Sequence, residues 1–242
     1  MDRWFFIHIM KTAGTSFRTM LEDTLDAEIY PTKAELAQRP RGWYLPAPEL
    51  LTQIERGEID LAARRFLCGH YSANLDARLA GGWRTVTFLR DPVRRSLSMI
   101  AHRHGKAGRL NRFVKPNVSR YLDDAEFVER QIRDYQTKVF ALDAAGDVNR
   151  PCPIDAAAFE RATARLREVD FVGLTEQYPE SIRLFEAMSG LTLAPLPHVN
   201  RSRGYAATEA ELARIRALVP HDIALYELAR AKLRAQLDAA AA

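Results

Sequence analysis

The sequence predicts a single α/β domain with a central parallel sheet flanked by helices, and three observations support this. Short apolar segments alternate along the chain with segments of helical periodicity, as in repeated β-α-β units. The length of 242 residues suits one substantial α/β domain, so residues 1–242 are assigned to one unit. The composition, 47% hydrophobic and 27% charged, is that of an ordinary globular protein.

The elements follow from local patterns and capping signals. Strands are expected at the short apolar segments 4–9, 66–69, 85–89 and 171–174. Helices are expected at 17–25, 49–56, 123–143, 155–168 and 179–188, after the Asp91-Pro92 cap, and from the Thr208 to Glu211 capping box to about residue 236. The proline-rich stretch 30–48 is expected to be a loop.

Targeting and cysteine signals are weak. The apolar start, residues 4–10, is far shorter than the roughly 20 residues that span a bilayer, and no small-residue cleavage site follows. We therefore expect no signal peptide, no membrane span and a cytoplasmic protein. Cys68 and Cys152 are too few for a disulfide framework or a cysteine-built zinc site, and both are expected to be buried.

The positive charge is concentrated in one segment. The net charge is only +4, but residues 92–122 contain no acid and carry eight lysines and arginines. Such a segment attracts polyanions, or it is simply a solvated charged surface. Nucleic acid is not the expected partner, because no recognised nucleic-acid module accompanies the charge. An anionic nucleotide or an acidic acceptor fits better.

The first strand runs into a segment suited to phosphate. It reads His-Ile-Met-Lys-Thr-Ala-Gly-Thr-Ser over residues 8–16. Amides at a helix N-terminus lack intrahelical partners and carry the positive end of the helix dipole, so they can bind an anion. The loop residues expected to do so are Lys11, Thr12, Ala13, Gly14, Thr15 and Ser16.

The position of the lysine separates two interpretations of this loop. In a Walker-type nucleotide loop the lysine directly follows the last glycine, whereas Lys11 precedes Gly14 by three positions. The segment instead resembles the 5′-phosphosulfate loop of sulfotransferases that use 3′-phosphoadenosine 5′-phosphosulfate (PAPS). The resemblance is to the carbohydrate-type, heparan sulfate 2-O-sulfotransferase-like branch, whose loop reads approximately His-Ile-Pro-Lys-Thr-Gly-Gly-Thr-Ser. Met10 and Ala13 depart mildly from it.

Two further segments extend the resemblance, which reaches from residue 5 to about 204. Arg90-Asp91-Pro92 follows the strand 85–89, and Ser98 lies eight residues after Arg90; this resembles the family's 3′-phosphate motif, which implies that Arg90 and Ser98 hold the 3′-phosphate. Residues 170–181 resemble a later strand and helix, and 197–204 resemble the C-terminal nucleotide loop. There Arg201 and Ser202 are expected to contact the nucleotide, unless this is an ordinary surface loop.

A general base is also needed to activate an acceptor. His70 follows the strand 66–69, and its ordinary pKa of about 6.5 suits it to accept a hydroxyl proton. Gly69-His70 resembles a Gly-His pair on the acceptor side of the family, although a packed, structural His70 is the alternative. His8 is expected to pack within the strand, and His102, His104 and His198 to contact the acceptor. No zinc-like spacing is present, so no metal is expected.

The resemblance implies a P-loop-like sulfotransferase fold and a defined activity. The protein would transfer a sulfuryl group from PAPS to an acceptor hydroxyl, for which a carbohydrate is the first candidate, with Lys11 and His70 as catalytic residues and no metal ion. Two alternatives stay open: a P-loop-type nucleotide kinase, which the position of Lys11 disfavours, and a non-catalytic protein that binds PAPS or another polyanion.

Overall fold

The computed structural model describes residues 2–108, 115–195 and 207–241. Within them, five strands form one sheet in the order β2-β3-β1-β4-β5, and every neighbouring pair is parallel. The strands are β1 (Trp4–Ile7), β2 (Ile29–Tyr30), β3 (Phe66–Gly69), β4 (Arg84–Leu89) and β5 (Phe171–Leu174).

Helices flank the sheet, and the burial of the strands shows that both faces are covered. Every residue of β1, β3 and β5 is buried, although alternate side chains of a strand point to opposite faces. The helices of the described residues are α1 (Gly14–Leu25), α2 (Lys33–Ala37), α3 (Ala47–Glu55), α4 (Pro92–Lys106), α5 (Val118–Leu122), α6 (Ala125–Gln131), α7 (Tyr135–Ala141), α8 (Ala156–Glu168), α9 (Tyr178–Ser189), α10 (Glu209–Leu218) and α11 (Pro220–Ala241). The predicted α/β class with a parallel sheet is confirmed.

The stretch 30–48 is the clearest error of the sequence prediction. Instead of a loop throughout, it contains part of the edge strand β2, the helix α2 and a 3₁₀ turn at Pro40–Gly42. Thr32 and Glu35 form a reciprocal capping box that starts α2. The prolines obscured these short elements, because β2 has only two residues and gives no periodic signal.

The helix predicted over residues 123–143 is broken in two. Asp124 caps α6 as expected, but the chain leaves the helix before Asp134, whose φ is 40°. The Asp134 carboxylate then accepts the amides of His221 and Asp222 in the first turn of α11. This contact between distant segments explains the break, which local sequence could not reveal. The region after Thr208 is also two helices, divided at Val219.

The apolar core has two parts. The larger surrounds the sheet, and the smaller lies among α4, α5, α6 and α10. Met10, in the loop after β1, packs against both. This places the loop where the two parts of the core meet.

The sequence also predicted two buried cysteines and no membrane-spanning helix. Cys68 is buried in β3, as predicted, but Cys152 is partly exposed because it lies in an irregular segment before α8, so that expectation was wrong. Across residues 2–108, 115–195 and 207–241, no helix is long and apolar enough to cross a membrane.

Candidate anion-binding and active site

The candidate site lies where the strand connections change direction. The chain passes from β1 to β2 and β3 on one side of the sheet, and then returns to β4 on the other side of β1. In open parallel sheets, ligands bind beyond the carboxyl ends of the strands at such a switch point. Lys11 follows β1 and Arg90 follows β4, and Nη1 of Arg90 donates to the Lys11 carbonyl at 3.3 Å.

The loop after β1 has an unusual backbone. Lys11 and Ala13 have φ angles of 72° and 66°, a left-handed conformation that non-glycine residues rarely adopt and that persists where surrounding contacts enforce it. Gly14 is needed for another reason, because a Cβ atom there would lie 2.1 Å from Cδ2 of His8. The loop is therefore fitted closely over the His8 ring.

Several backbone amides at the start of α1 have no hydrogen-bond acceptor among the described residues. The first amides of the helix bonded to the loop are those of Ser16 and Phe17, which donate to the Ala13 carbonyl. Within the described residues, no acceptor contacts the amides of residues 11–15. The Thr12 hydroxyl is used inside the loop, where it donates to the Ile9 carbonyl at 2.9 Å. An anion here would be held by amides and by the Thr15 and Ser16 hydroxyls.

Two guanidinium groups hold the carbonyl side of the loop. Arg95 is fully buried in α4, and its Nε donates to the Met10 carbonyl at 3.1 Å. Its Nη1 donates to the Gln131 carbonyl, and its guanidinium lies 3.9 Å from the ring centre of Tyr135. With Arg90 on the Lys11 carbonyl, two successive carbonyls are bound by arginines.

The cations of this site lack ion-pair partners. Of the described carboxylates, none lies within 4.0 Å of Lys11, Arg90 or Arg95. Burial lowers the pKa of Lys11, and the charges of Arg90, Arg95 and Lys106 lower it further. Burial likewise lowers the pKa of Arg95 to about 10. Arg95 is buried, whereas Lys11 and Arg90 are half-buried, and carboxylates act on the two arginines only from beyond ion-pair distance, Glu176 and Asp91 on Arg90 and Asp222 on Arg95. Partly desolvated cations without close ion pairs are expensive, so their grouping indicates a candidate site for a multivalent anion.

His70 lies beside the loop with one ring nitrogen fixed. Its Nδ1 is 2.6 Å from the His8 carbonyl oxygen, and since a carbonyl only accepts, Nδ1 carries the proton. Nε2 then keeps its lone pair, as a proton acceptor requires. Burial lowers the pKa of His70 to about 4, with further lowering by Arg18 and Lys106 and opposition from the His8 hydrogen bond. His70 is therefore neutral at physiological pH.

The segment 30–48 reaches His70 through Tyr44. The Tyr44 ring meets the His70 ring edge-on, with centres 5.0 Å apart. Arg18 of α1 fixes this segment, since it donates to the Tyr44 hydroxyl and to the Pro31 carbonyl, each at 2.6 Å. The His8 ring, buried as predicted, packs 4.3 Å from that of His70. Tyr44 and His8 thus both pack against the His70 ring.

Ser98, His102 and His104 were also predicted to belong to the site, but none of them is hydrogen-bonded to the loop after β1. Ser98 is buried on the second turn of α4 and makes no hydrogen bond to a described residue. His102 follows on the same face, where burial, Lys11 and Lys106 lower its pKa to about 4. His104 is bonded to Tyr121. Arg201, Ser202 and His198 lie outside the described residues.

Two residues that hold the backbone of this site, Arg95 and Gln136, were not predicted from the sequence. Arg95 was noted only as part of a basic stretch, although its spacing from Ser98 and His102 places all three on one face of α4. Gln136 was not singled out, yet its side chain bonds both backbone groups of Arg90. No sequence signal could have identified Gln136, because its contact with Arg90 joins residues 46 positions apart.

The described residues contain no group of three or more His, Cys, Asp or Glu side chains arranged to hold a metal ion. What they do contain is a loop of free amides, surrounded by unpaired cations, beside a neutral histidine.

The fold and the site together define an α/β protein with a candidate anion-binding loop at the switch point of its sheet. No protein-family model matches the sequence, and no curated protein matches it. Among solved structures, the chain is similar to a sulfotransferase from Alicyclobacillus acidocaldarius, with 16% sequence identity, 94% of this chain and 99% of that chain covered, and a TM-score of 0.43.

Proposed function

We propose that the protein is a sulfotransferase that transfers a sulfuryl group from PAPS to an acceptor hydroxyl. The observation that carries the proposal is the grouping of Lys11, Arg90 and Arg95, without carboxylate partners, around the free amides that open α1. Such an arrangement suits a nucleotide with more than one phosphate. The resemblance of the loop and of the Arg90 segment to sulfotransferase motifs selects PAPS among such nucleotides.

The roles of the residues follow from the chemistry of sulfuryl transfer. The acceptor oxygen forms a bond to sulfur while the bond from sulfur to the bridging oxygen of the 5′-phosphate breaks. The acceptor proton passes to Nε2 of His70, and the charge that develops on the leaving 5′-phosphate is neutralised by Lys11 and the loop amides. Catalysis is mainly positioning and charge stabilisation, as in phosphoryl transfer.

The second phosphate distinguishes PAPS from simpler nucleotides. We assign the 3′-phosphate to Arg90 and Ser98, because the guanidinium of Arg90 lies at the switch point beside the loop and has no ion-pair partner among the described residues. Arg201 and Ser202 complete the donor site in this proposal, on the strength of the resemblance alone. No metal ion is required, because Lys11 supplies the positive charge at the leaving group.

For the acceptor, we propose a hydroxyl on a carbohydrate. The proposal rests on the carbohydrate-type branch that the loop resembles and on the acid-free stretch 92–122, whose Lys106 charge reaches both Lys11 and His70. Acidic glycans are the acceptors that this charge would favour.

Calorimetry on the purified protein tests the proposal. We expect 3′-phosphoadenosine 5′-phosphate to bind more tightly than ATP with Mg²⁺, and its binding to survive a chelator. Tighter, magnesium-dependent binding of ATP would replace the proposal with a kinase. Transfer of labelled sulfate from PAPS to a panel of carbohydrate and other hydroxyl acceptors then separates an enzyme from a silent binder, which would bind the nucleotide without transfer.

A further inference from the structure

The backbone of Arg90 is held by a single side chain. The Arg90 amide donates to Oε1 of Gln136 at 3.0 Å, and Nε2 of Gln136 donates to the Arg90 carbonyl at 2.9 Å. β4 ends at Leu89, so no strand pairs with Arg90. The fully buried Gln136 provides the two hydrogen bonds that a neighbouring strand would otherwise supply.

Gln136 is itself fixed by two helices that cap each other. The buried carboxylate of Asp222, in α11, accepts the amides of Gln136 and Thr137 in the first turn of α7, at 3.1 and 2.7 Å. In return, Asp134 before α7 accepts the amides of His221 and Asp222 at 2.9 and 3.0 Å. Each helix thus caps the N-terminus of the other, which leaves the first turn of α7 little freedom to move.

The Arg90 side chain is held much less firmly than its backbone. Its Nη1 makes one long hydrogen bond of 3.3 Å to the Lys11 carbonyl. Its Nε is buried, and no described residue accepts from it. Because no described carboxylate pairs with the guanidinium, its direction depends on the position of the Arg90 backbone.

We propose that Gln136 is a positioning residue of the donor site, which aims the Arg90 guanidinium at the 3′-phosphate by holding the Arg90 peptide. This inference rests on the proposed function, because it assumes that Arg90 binds the 3′-phosphate. Without the two hydrogen bonds, the peptide would shift to find other partners, and the planar guanidinium would lose its alignment. The loss should fall on 3′-phosphate recognition rather than on nucleotide binding in general.

The test compares Gln136→Met with Lys138→Met. Methionine keeps the length of glutamine but forms neither hydrogen bond. Lys138 is the matched control, since it is also fully buried in α7 and donates to two backbone carbonyls, those of Arg130 and Arg150, without contacting Arg90. The measured quantity is the ratio of the Kd for adenosine 5′-monophosphate to the Kd for 3′-phosphoadenosine 5′-phosphate. We expect Gln136→Met to lower this ratio about tenfold and Lys138→Met to leave it unchanged.

A double-mutant cycle completes the test. On an Arg90→Ala background, Gln136→Met should change the ratio no further, because the residue through which it acts is gone. A wild-type protein that does not prefer the 3′-phosphorylated nucleotide contradicts the proposed function. A wild-type preference that Gln136→Met retains overturns only the inference, as does an equal loss in Lys138→Met.

A second variant covers a failure of Gln136→Met to fold. At a pH high enough to ionise the new carboxyl group, Gln136→Glu still accepts from the Arg90 amide but cannot donate to the Arg90 carbonyl. We expect it to lower the ratio by less than Gln136→Met would, and an unchanged ratio in this variant also overturns the inference.

Discussion

The positively charged side chains at the two ends of the sheet differ in their partners. At the amino end, Arg84 pairs with Asp2 and Asp170 and lies 4.3 Å from the ring centre of Trp4. Arg3 donates to the Leu61 carbonyl and stacks on a tryptophan. At the carboxyl end, Lys11 and Arg90 have neither a carboxylate within 4.0 Å nor a stacked ring among the described residues.

Under the proposed function, this difference separates charges that stabilise the fold from charges that would bind the nucleotide. A cation that pairs with carboxylates and aromatic rings contributes to the folded state. A desolvated cation among other cations destabilises it, and the energy is recovered when an anion binds. Substitutions of Arg3 or Arg84 should therefore lower stability and leave activity unchanged. Substitutions of Lys11 or Arg90 should lower activity and leave stability unchanged.

The largest effect is expected at His70. His70→Ala should lower turnover by about 10²- to 10⁴-fold, because the acceptor loses its general base, while nucleotide affinity stays nearly unchanged. In the wild type, kcat/KM should fall as the pH drops through about 4, the pKa of His70, since protonation of Nε2 removes the base. This acidic limb should be absent in the variant, as pH-rate profiles would reveal. A joint loss of melting temperature and nucleotide affinity would instead mark His70 as structural.

The second-largest effect is expected for Lys11→Ala. Turnover should fall by about 10²- to 10³-fold, because the leaving phosphate loses its main source of positive charge. The melting temperature should stay the same or rise, because the variant removes a cation whose pKa is lowered by burial and by neighbouring cations. The control is Lys232→Ala, which removes a lysine that donates to the Arg167 carbonyl far along the chain from the loop. Wild-type turnover in Lys11→Ala would contradict the role of the loop.

Arg90→Ala should have a smaller and more selective effect. A charge-assisted hydrogen bond contributes about 1.5–3 kcal/mol, which corresponds to roughly 10- to 150-fold in affinity. This loss should apply to 3′-phosphoadenosine 5′-phosphate and spare adenosine 5′-monophosphate in calorimetric titrations. An equal loss for both nucleotides would assign Arg90 to the structure of the loop.

The smallest effect is expected from the other end of the sheet. Arg84→Ala should lower the free energy of unfolding by about 1 kcal/mol, the scale of a partly exposed ion pair with a stacked ring. Turnover and nucleotide affinity should not change. Urea unfolding and a sulfate-transfer assay on the same preparation make the comparison. A loss of activity without a loss of stability would break the distinction between the two ends.

The sequence predicted the candidate site residues best where they follow a predicted strand. His70 and Arg90 come directly after β3 and β4, Lys11 lies four residues after β1, and parallel strands bring those positions to one edge. β2 and α2 were missed because they are too short for a periodic signal. Gln136 was missed because its contact with Arg90 joins residues 46 positions apart, and such pairing exists only after α7 and α11 have packed.

The mutual capping of α7 and α11 also affects when the site forms during synthesis. α11 is the last helix of the described chain, Pro220–Ala241, and it supplies the carboxylate that fixes the first turn of α7. A ribosome that has made the sheet and the loop after β1 has not yet made this helix. The nascent chain therefore contains the loop after β1 before it contains the carboxylate that fixes Gln136, and we expect the candidate site to be complete only once α11 has been made.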